Sequence, residues 1–235
     1  LLNKFILIRL IKKIGNFFIG LSEIGKDPSA LDLSGDRTIE WSWVAAHIPD
    51  NPGKVLDFGC GDASLSLVAV VKGGDVIGLD QQQLNLSYKI KNLNIQRGDM
   101  IDYDFGEARF DVIINCSSIE HVGLAGRYGS KEVLDGDIIV MEKMRYLLKS
   151  PDGMMILAIP VGRDSIISPF HRVYGTKRLS MLLKGFSVVK KEFWSKRGGL
   201  NIWIPVREDE ALAVQPSESF YALGLFILKA NSSIS

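Results

Sequence analysis

From Lys54 onward the chain alternates short apolar runs with helical patterns, and this rhythm restricts the fold more than any other feature. KVLDFG (54–59) is an apolar run ending in glycine, the pattern of a buried strand. ASLSLVAVVKGG (63–74) reads as a helix closed by two glycines. DVIGLD (75–80) is a second strand, 81–92 a polar helix and LNIQRGD (93–99) a third strand. FDVIINC (110–116) is a fourth, strongly apolar strand. An amphipathic helix over 134–149 is stopped by Ser150, Pro151, Asp152 and Gly153, and MMILAIPVG (154–162) is a fifth strand. A helix over 176–185 and strands over 186–194 and 219–229 complete the pattern. Residues 195–218 are long for a hairpin loop. Upstream, IEWSWVAAHIP (39–49) reads as a helix and 21–38 as a linker. Alternation at this spacing predicts an α/β fold, a parallel sheet with helices on both faces and right-handed crossovers.

Ligands of such sheets bind beyond the carboxyl ends of the strands, where strand order reverses. The first strand ends in Asp57-Phe58-Gly59-Cys60-Gly61-Asp62. Glycines 59 and 61 permit a tight turn and close backbone approach, and the helix after them points its N-terminus at the ligand. The second strand ends in Asp80, 21 residues beyond Gly59. A carboxylate there can accept both hydroxyls of a ribose, or cap the following segment.

Two families fit a glycine turn followed by such an acid. In the nicotinamide-dependent dehydrogenases the third glycine of the fingerprint would fall at Ser64. The class I S-adenosylmethionine-dependent methyltransferases place an acid, one residue and then alternating glycines, here Asp57, Gly59 and Gly61. The chain resembles the second group more closely over residues 40–229. Asp99-Met100 looks like their adenine-contacting acid and its neighbour, and FDVIINCSSIEHVG (110–123) looks like their fourth-strand motif with its Glu120-His121 pair. The resemblance implies a Rossmann-like doubly wound sheet of seven strands, mostly parallel with an antiparallel final strand, and S-adenosylmethionine as cofactor. It places Asp57, Gly59, Cys60, Gly61, Asp80, Gln81, Asp99, Met100, Asn115 and Cys116 around that cofactor.

A narrower resemblance runs through DRTIEWSWVAAHIP (36–49), SSIEHVGLAGRYG (117–129), DGD (135–137) and PFHRVYG (169–175). These look like a methyltransferase-like family associated with bacterial surface polysaccharide synthesis, which implies a sugar-containing acceptor methylated on oxygen.

A hydroxyl acceptor needs a general base. His171 and His121, the latter following Glu120, are the candidate catalytic residues; each has a purely structural alternative. Arg127, Tyr128, Arg172 and Tyr174 are candidate acceptor binders, because Arg grips carboxylate or phosphate and Tyr stacks on sugar rings. Some relatives bind a divalent metal here through an additional Glu; Ser117 occupies that position, so no metal is expected. Cys60 and Cys116 follow neighbouring strands and are expected reduced, with no disulfide. Two other readings stay open: a nicotinamide-dependent oxidoreductase, and a non-catalytic membrane-associated protein retaining the fold.

Formal charge is balanced, with 28 Lys and Arg against 27 Asp and Glu, so no basic field favours nucleic acid. Residues 1–20 depart from that balance, with four cations and no acid. Arg9, Lys12, Lys13 and Asn16 share one helical face, and Ile6, Leu7, Leu10, Ile11, Ile14, Phe17 and Phe18 the other. Such a helix either packs on the protein's own core or lies on an anionic membrane. The expected organisation is an N-terminal helix and linker over 1–38 and one methyltransferase domain over 39–235, in the cytoplasm or at the inner face of the membrane.

Overall fold

The computed structural model describes residues 35–84, 86, 89–125, 132–149, 151–197, 202–217 and 220–231. The N-terminal helix expected over 1–20 lies outside them.

Helix α1 (Asp36–His47) starts behind Gly35, three residues before its expected start. Then follow β1 (Lys54–Phe58), α2 (Ser64–Val71), β2 (Asp75–Asp80), β3 (Leu93–Arg97) and β4 (Val112–Cys116). A 3-10 turn, Ile119–His121, leads to α3 (Gly136–Leu147) and β5 (Met154–Val161). Next come β6 (Ser165–Ile167), β7 (His171–Val173), α4 (Thr176–Leu182), β8 (Phe186–Lys196), β9 (Trp203–Val206), α5 (Glu208–Leu212) and β10 (Ala222–Ala230).

The main sheet has the order β3-β2-β1-β4-β5-β10-β8-β9. Strands β1 to β5 pair in parallel, and β10 lies antiparallel between β5 and β8. Its eight strands exceed the expected seven. The addition is β9, which pairs antiparallel with β8 from Phe193↔Val206 to Lys196↔Trp203. Its sequence, WIPV, contains Pro205, which cannot donate to a ladder and is tolerated where one side of the strand has no partner. A stretch so short and so interrupted reads as loop, as does the hairpin of β6 and β7.

The polar helix expected over 81–92 is absent among the described residues of that segment. Leu84 and Leu86 are spaced for a strand rather than a helix face, so no apolar stripe anchors a helix there.

Alternating side chains of the central strands fill two cores, as the two-residue strand period requires. Leu56, Ile113 and Leu157 pack with Val140, Met141 and Met144 of α3. Val55, Ile114 and Ile156 pack on the opposite face with Trp43 and Val44 of α1 and Leu65 and Ala69 of α2. Every residue of β4 is buried, as its apolar run predicts for a central strand. Chain order runs outward from β1 to β3 on one side and from β4 to β10 on the other, so the reversal lies between β1 and β4. No helix among the described residues is long and apolar enough to cross a membrane.

Candidate active site

Beyond the carboxyl end of β1 the chain turns through Gly59 (φ 67°), Gly61 (φ 53°) and Ala63 (φ 63°). The amides of Gly59 and Cys60 both donate to the Leu79 carbonyl, at 2.8 and 3.3 Å, which ties the turn to the end of β2. At Gly59 a Cβ atom would collide with the Ser118 side chain, so glycine is favoured by space as well as by backbone angle.

Four carboxylates stand around this turn. Asp57 is buried and accepts the Ser66 hydroxyl at 2.6 Å; burial pushes its carboxyl up to about 6. Asp80 accepts the Gly61 amide at 2.9 Å on one oxygen and the Gln82 amide at 2.8 Å on the other. Asp99 accepts the Gln81 side-chain amide at 2.7 Å and the Ile101 amide at 2.9 Å. Asp62 opens α2 and accepts the Ser64 amide at 3.0 Å. The loop after Asp99 is clamped from behind, since Lys143 of α3 donates to the carbonyls of Met100, Ile101 and Tyr103 at 2.8, 3.2 and 2.5 Å.

These groups line a cavity of about 460 Å³, within the range of small-molecule sites. Asp57, Gly59, Cys60, Gly61, Asp80, Gln81, Asp99, Met100 and Cys116 all border it. Asn115 does not. Its side chain points to the α3 face, where its oxygen accepts the Ile119 amide at 3.3 Å and its nitrogen lies 4.0 Å from Met144 Sδ. The expectation for Asn115 is corrected by strand geometry: successive β4 residues face opposite sides, and Cys116 takes the cavity side. Both cysteines are buried free thiols. Burial pushes Cys60 up to about 12 and Cys116 well above its ordinary value, so both stay protonated and unreactive at neutral pH.

Of the two candidate bases, His121 borders the cavity and His171 does not. His121 Nδ1 lies 2.6 Å from the Phe170 carbonyl, and its Nε2 is 3.7 Å from a carboxylate oxygen of Glu120, itself buried. His171 belongs to β7, is buried, and packs edge-on against His121 and Tyr221 with ring centroids 6.4 and 5.2 Å away. His171 is thus corrected from base to supporting ring, because the hairpin turns it inward.

The acceptor-binding expectation also changes for Arg172 and Tyr174. Arg172 is 1% exposed and donates to the carbonyls of Val122 and Leu134 at 2.5 and 3.1 Å. Its Nε lies 3.7 Å from the buried carboxylate of Asp137, and the Tyr174 hydroxyl donates to the same carboxylate at 3.2 Å. Arg178 adds two further bonds to Asp137. This buried network fastens β7 and α4 to α3. Arg127 and Tyr128 lie outside the described residues.

Residues of α1 complete the cavity wall without having been singled out in the sequence. Arg37 and Trp41 border it, as do Ser117 and Ser118 after β4. Glu40 is fully buried, accepts the Ser117 hydroxyl on one oxygen and Arg37 Nη1 at 3.2 Å on the other. Burial raises its carboxyl to about 7. The signal was present: Glu40 shares a helical face with Trp43, Val44 and His47, and an acid inside an apolar stripe needs a partner. Among the described residues no group of three or more His, Cys, Asp or Glu side chains is placed to hold a metal ion.

The cavity suits S-adenosylmethionine on its own geometry. Acids sit at the ends of β1, β2 and β3, and Gly61 leaves open space where a side chain would stand.

Comparison with known proteins agrees with this arrangement. A protein of Mycolicibacterium smegmatis named "Probable S-adenosylmethionine-dependent methyltransferase" is 29% identical over 187 residues, 68% of this chain and 67% of its own length. The ubiquinone biosynthesis O-methyltransferase of a Chelativorans species is 31% identical over 133 residues, 49% of this chain and 46% of that protein; the chain thus spans about half the length of this relative. Among solved structures, the 1,6-didemethyltoxoflavin-N1-methyltransferase of Burkholderia thailandensis, bound to S-adenosylhomocysteine, superposes with a TM-score of 0.54 at 14% identity, over 97% of this chain and 90% of that one. The N-methyltransferase NodS of Bradyrhizobium japonicum gives 0.53 at 12% identity, over 77% and 79%. The fold is that of the class I S-adenosylmethionine-dependent methyltransferases, and the curated relatives carry methyltransferase names. A family model matches residues 60–205, well over half of the chain, and on that match the chain belongs to the family described as "Caenorhabditis protein of unknown function, DUF268".

Proposed function

We propose that this protein is a methyltransferase that uses S-adenosylmethionine to methylate an oxygen of a saccharide or related small molecule. One observation carries the reading: a single cavity gathers Asp57, Asp80 and Asp99 from three adjacent strand ends together with His121. S-adenosylmethionine, when bound, supplies a methyl group already activated on a sulfonium. The chain's own residues must then hold an acceptor oxygen in line and shield the reaction from water. In this reading Asp80 serves the ribose hydroxyls, Asp99 the adenine amine, and ionised Asp57 the methionine ammonium. Proton removal falls to His121. With Nδ1–H donating to the Phe170 carbonyl, Nε2 is the nitrogen that accepts a proton.

The saccharide acceptor rests on the likeness of 36–49, 117–129 and 169–175 to proteins associated with surface polysaccharide synthesis. A cytoplasmic location beside the membrane, with residues 1–20 meeting anionic lipid, fits that role and rests on their pattern of cations and apolar residues. The test is to titrate the protein with S-adenosylhomocysteine and with NAD, then to incubate it with S-adenosylmethionine and a panel of sugar nucleotides and glycolipid precursors, reading methylated products by mass spectrometry. Binding of S-adenosylhomocysteine and methylation of a sugar hydroxyl are the expected results. Tight NAD binding without S-adenosylhomocysteine binding would overturn the reading in favour of an oxidoreductase.

A further inference from the structure

Ser117 is the first residue after β4 and borders the cavity, two residues before the turn that ends in His121. Its backbone takes φ 49°, a left-handed conformation that serine seldom adopts and that gathers at functional sites. Its hydroxyl donates to Glu40, and Oγ makes no other hydrogen bond to a described residue. A hydroxyl has one hydrogen and two lone pairs. With the hydrogen committed to Glu40, Ser117 can accept a bond from a ligand but cannot donate one.

Glu40 holds that direction. It is fully buried on α1, and Arg37 Nη1 donates to its other oxygen at 3.2 Å. The Arg37 charge favours the ionised carboxylate, which can only accept. Fastening α1 to the sheet does not require this pair. Trp43, Val44 and Ile48 already pack against the strands, and a buried carboxylate is a costlier tie than apolar contact.

Position separates Ser117 from the acids of the cavity. Asp57, Asp80 and Asp99 stand at the ends of β1, β2 and β3, whereas Ser117 follows β4, across the reversal of strand order. A group held by Ser117 therefore lies on the same side of the cavity as His121.

A saccharide offers neighbouring hydroxyls, each a hydrogen-bond donor. We propose that Ser117, polarised by Glu40, grips the acceptor hydroxyl next to the one being methylated, so that the site selects vicinal diols. Ser117 touches the acceptor, and Glu40 acts through Ser117 as a positioning residue. The gripped hydroxyl keeps its proton. Its neighbour forms the new C–O bond as the methyl carbon parts from sulfur, and the proton it loses passes to His121. The inference deepens the methyltransferase reading and rests on it.

Two probes present one or two hydroxyls on the same ring: cyclohexanol and trans-1,2-cyclohexanediol. Each is incubated with labelled S-adenosylmethionine at pH 8, above the Glu40 titration at about 7, and methyl ether formation gives kcat/KM. The wild type is expected to prefer the diol by roughly tenfold, the worth of one hydrogen bond, against about twofold from the number of hydroxyls alone. Ser117→Gly removes the hydroxyl and suits the left-handed backbone, so it spares the fold; the preference should drop to about twofold. Glu40→Gln frees the Ser117 hydrogen to turn toward the ligand and should give an intermediate preference. Calorimetry with S-adenosylhomocysteine checks the cofactor site of each protein. A wild type without the tenfold preference, or a Ser117→Gly variant that keeps it, would overturn the subsite. So would a wild type that binds S-adenosylhomocysteine but methylates neither probe, with the methyltransferase reading left standing. A wild type that does not bind S-adenosylhomocysteine would overturn both.

Discussion

Asp80 spends one oxygen on the Gly61 amide and the other on the Gln82 amide, so it shapes the turn while facing the cavity. Asp80→Ala is therefore expected to weaken S-adenosylhomocysteine binding by about 1–3 kcal/mol, measured by calorimetry; unchanged affinity would remove Asp80 from the site. His121 is tested by rate. His121→Gln should lower kcat by about 10²–10⁴ with little change in cofactor affinity, the usual loss for a general base. Arg172 belongs to stability instead. Arg172→Met leaves the Asp137 carboxylate buried with one cation fewer and should cost about 3–5 kcal/mol in urea unfolding. A change confined to acceptor KM would return Arg172 to the acceptor site. The acids at strand ends were legible because an acid closing an apolar run has little structural reason to be there. Arg172 and Tyr174 were not, because a polar segment rich in turn residues gives no sign that β7 buries all three of its residues.

At the level of elements, β1, β4 and β5 could be read directly from their apolar runs, since all but the first residue of β1 and of β5 and every residue of β4 are buried. What failed was at the margins. Strand β9 has a partner on one side and a proline, and the segment after β2 has polar composition without a helical stripe. Neither is decided by local sequence; each depends on what lies beside it. The same holds for the loop after β3, whose shape comes from α3. Lys143 bonds three of its carbonyls, and the surrounding protein lowers the Lys143 pKa by removing water. Lys143→Met should accelerate amide hydrogen exchange over residues 100–103 while leaving that of β4 unchanged.

For the whole molecule, two buried carboxyls set the pH dependence of stability. Asp57 titrates at about 6 and Glu40 at about 7 in the folded chain, above the 3.8 and 4.5 of the unfolded one. Between these values the folded state holds more protons, so stability falls as pH rises from about 4 to about 7 and levels off above. Urea unfolding across that range should show this slope, and Glu40→Gln should remove about half of it. Cofactor binding runs the other way. On the proposed role of Asp57, its ionised form meets the ammonium, so affinity for S-adenosylhomocysteine should rise through pH 6. Saturating ligand at a hundred times Kd stabilises by about 2.7 kcal/mol, which for a chain of this size raises Tm by roughly 5–11 °C.

Ser118 bonds the carbonyls of Gly59 and Cys116, at 3.3 and 3.2 Å, and occupies the space a side chain at 59 would need. One residue therefore spaces the cofactor turn from the short turn that ends in His121. The two parts of the site are gauged against each other like the jaws of a fixed caliper. Substitutions that loosen the grip on cofactor at this point should also misplace the histidine, so selection for new acceptors is confined to walls that Ser118 does not span.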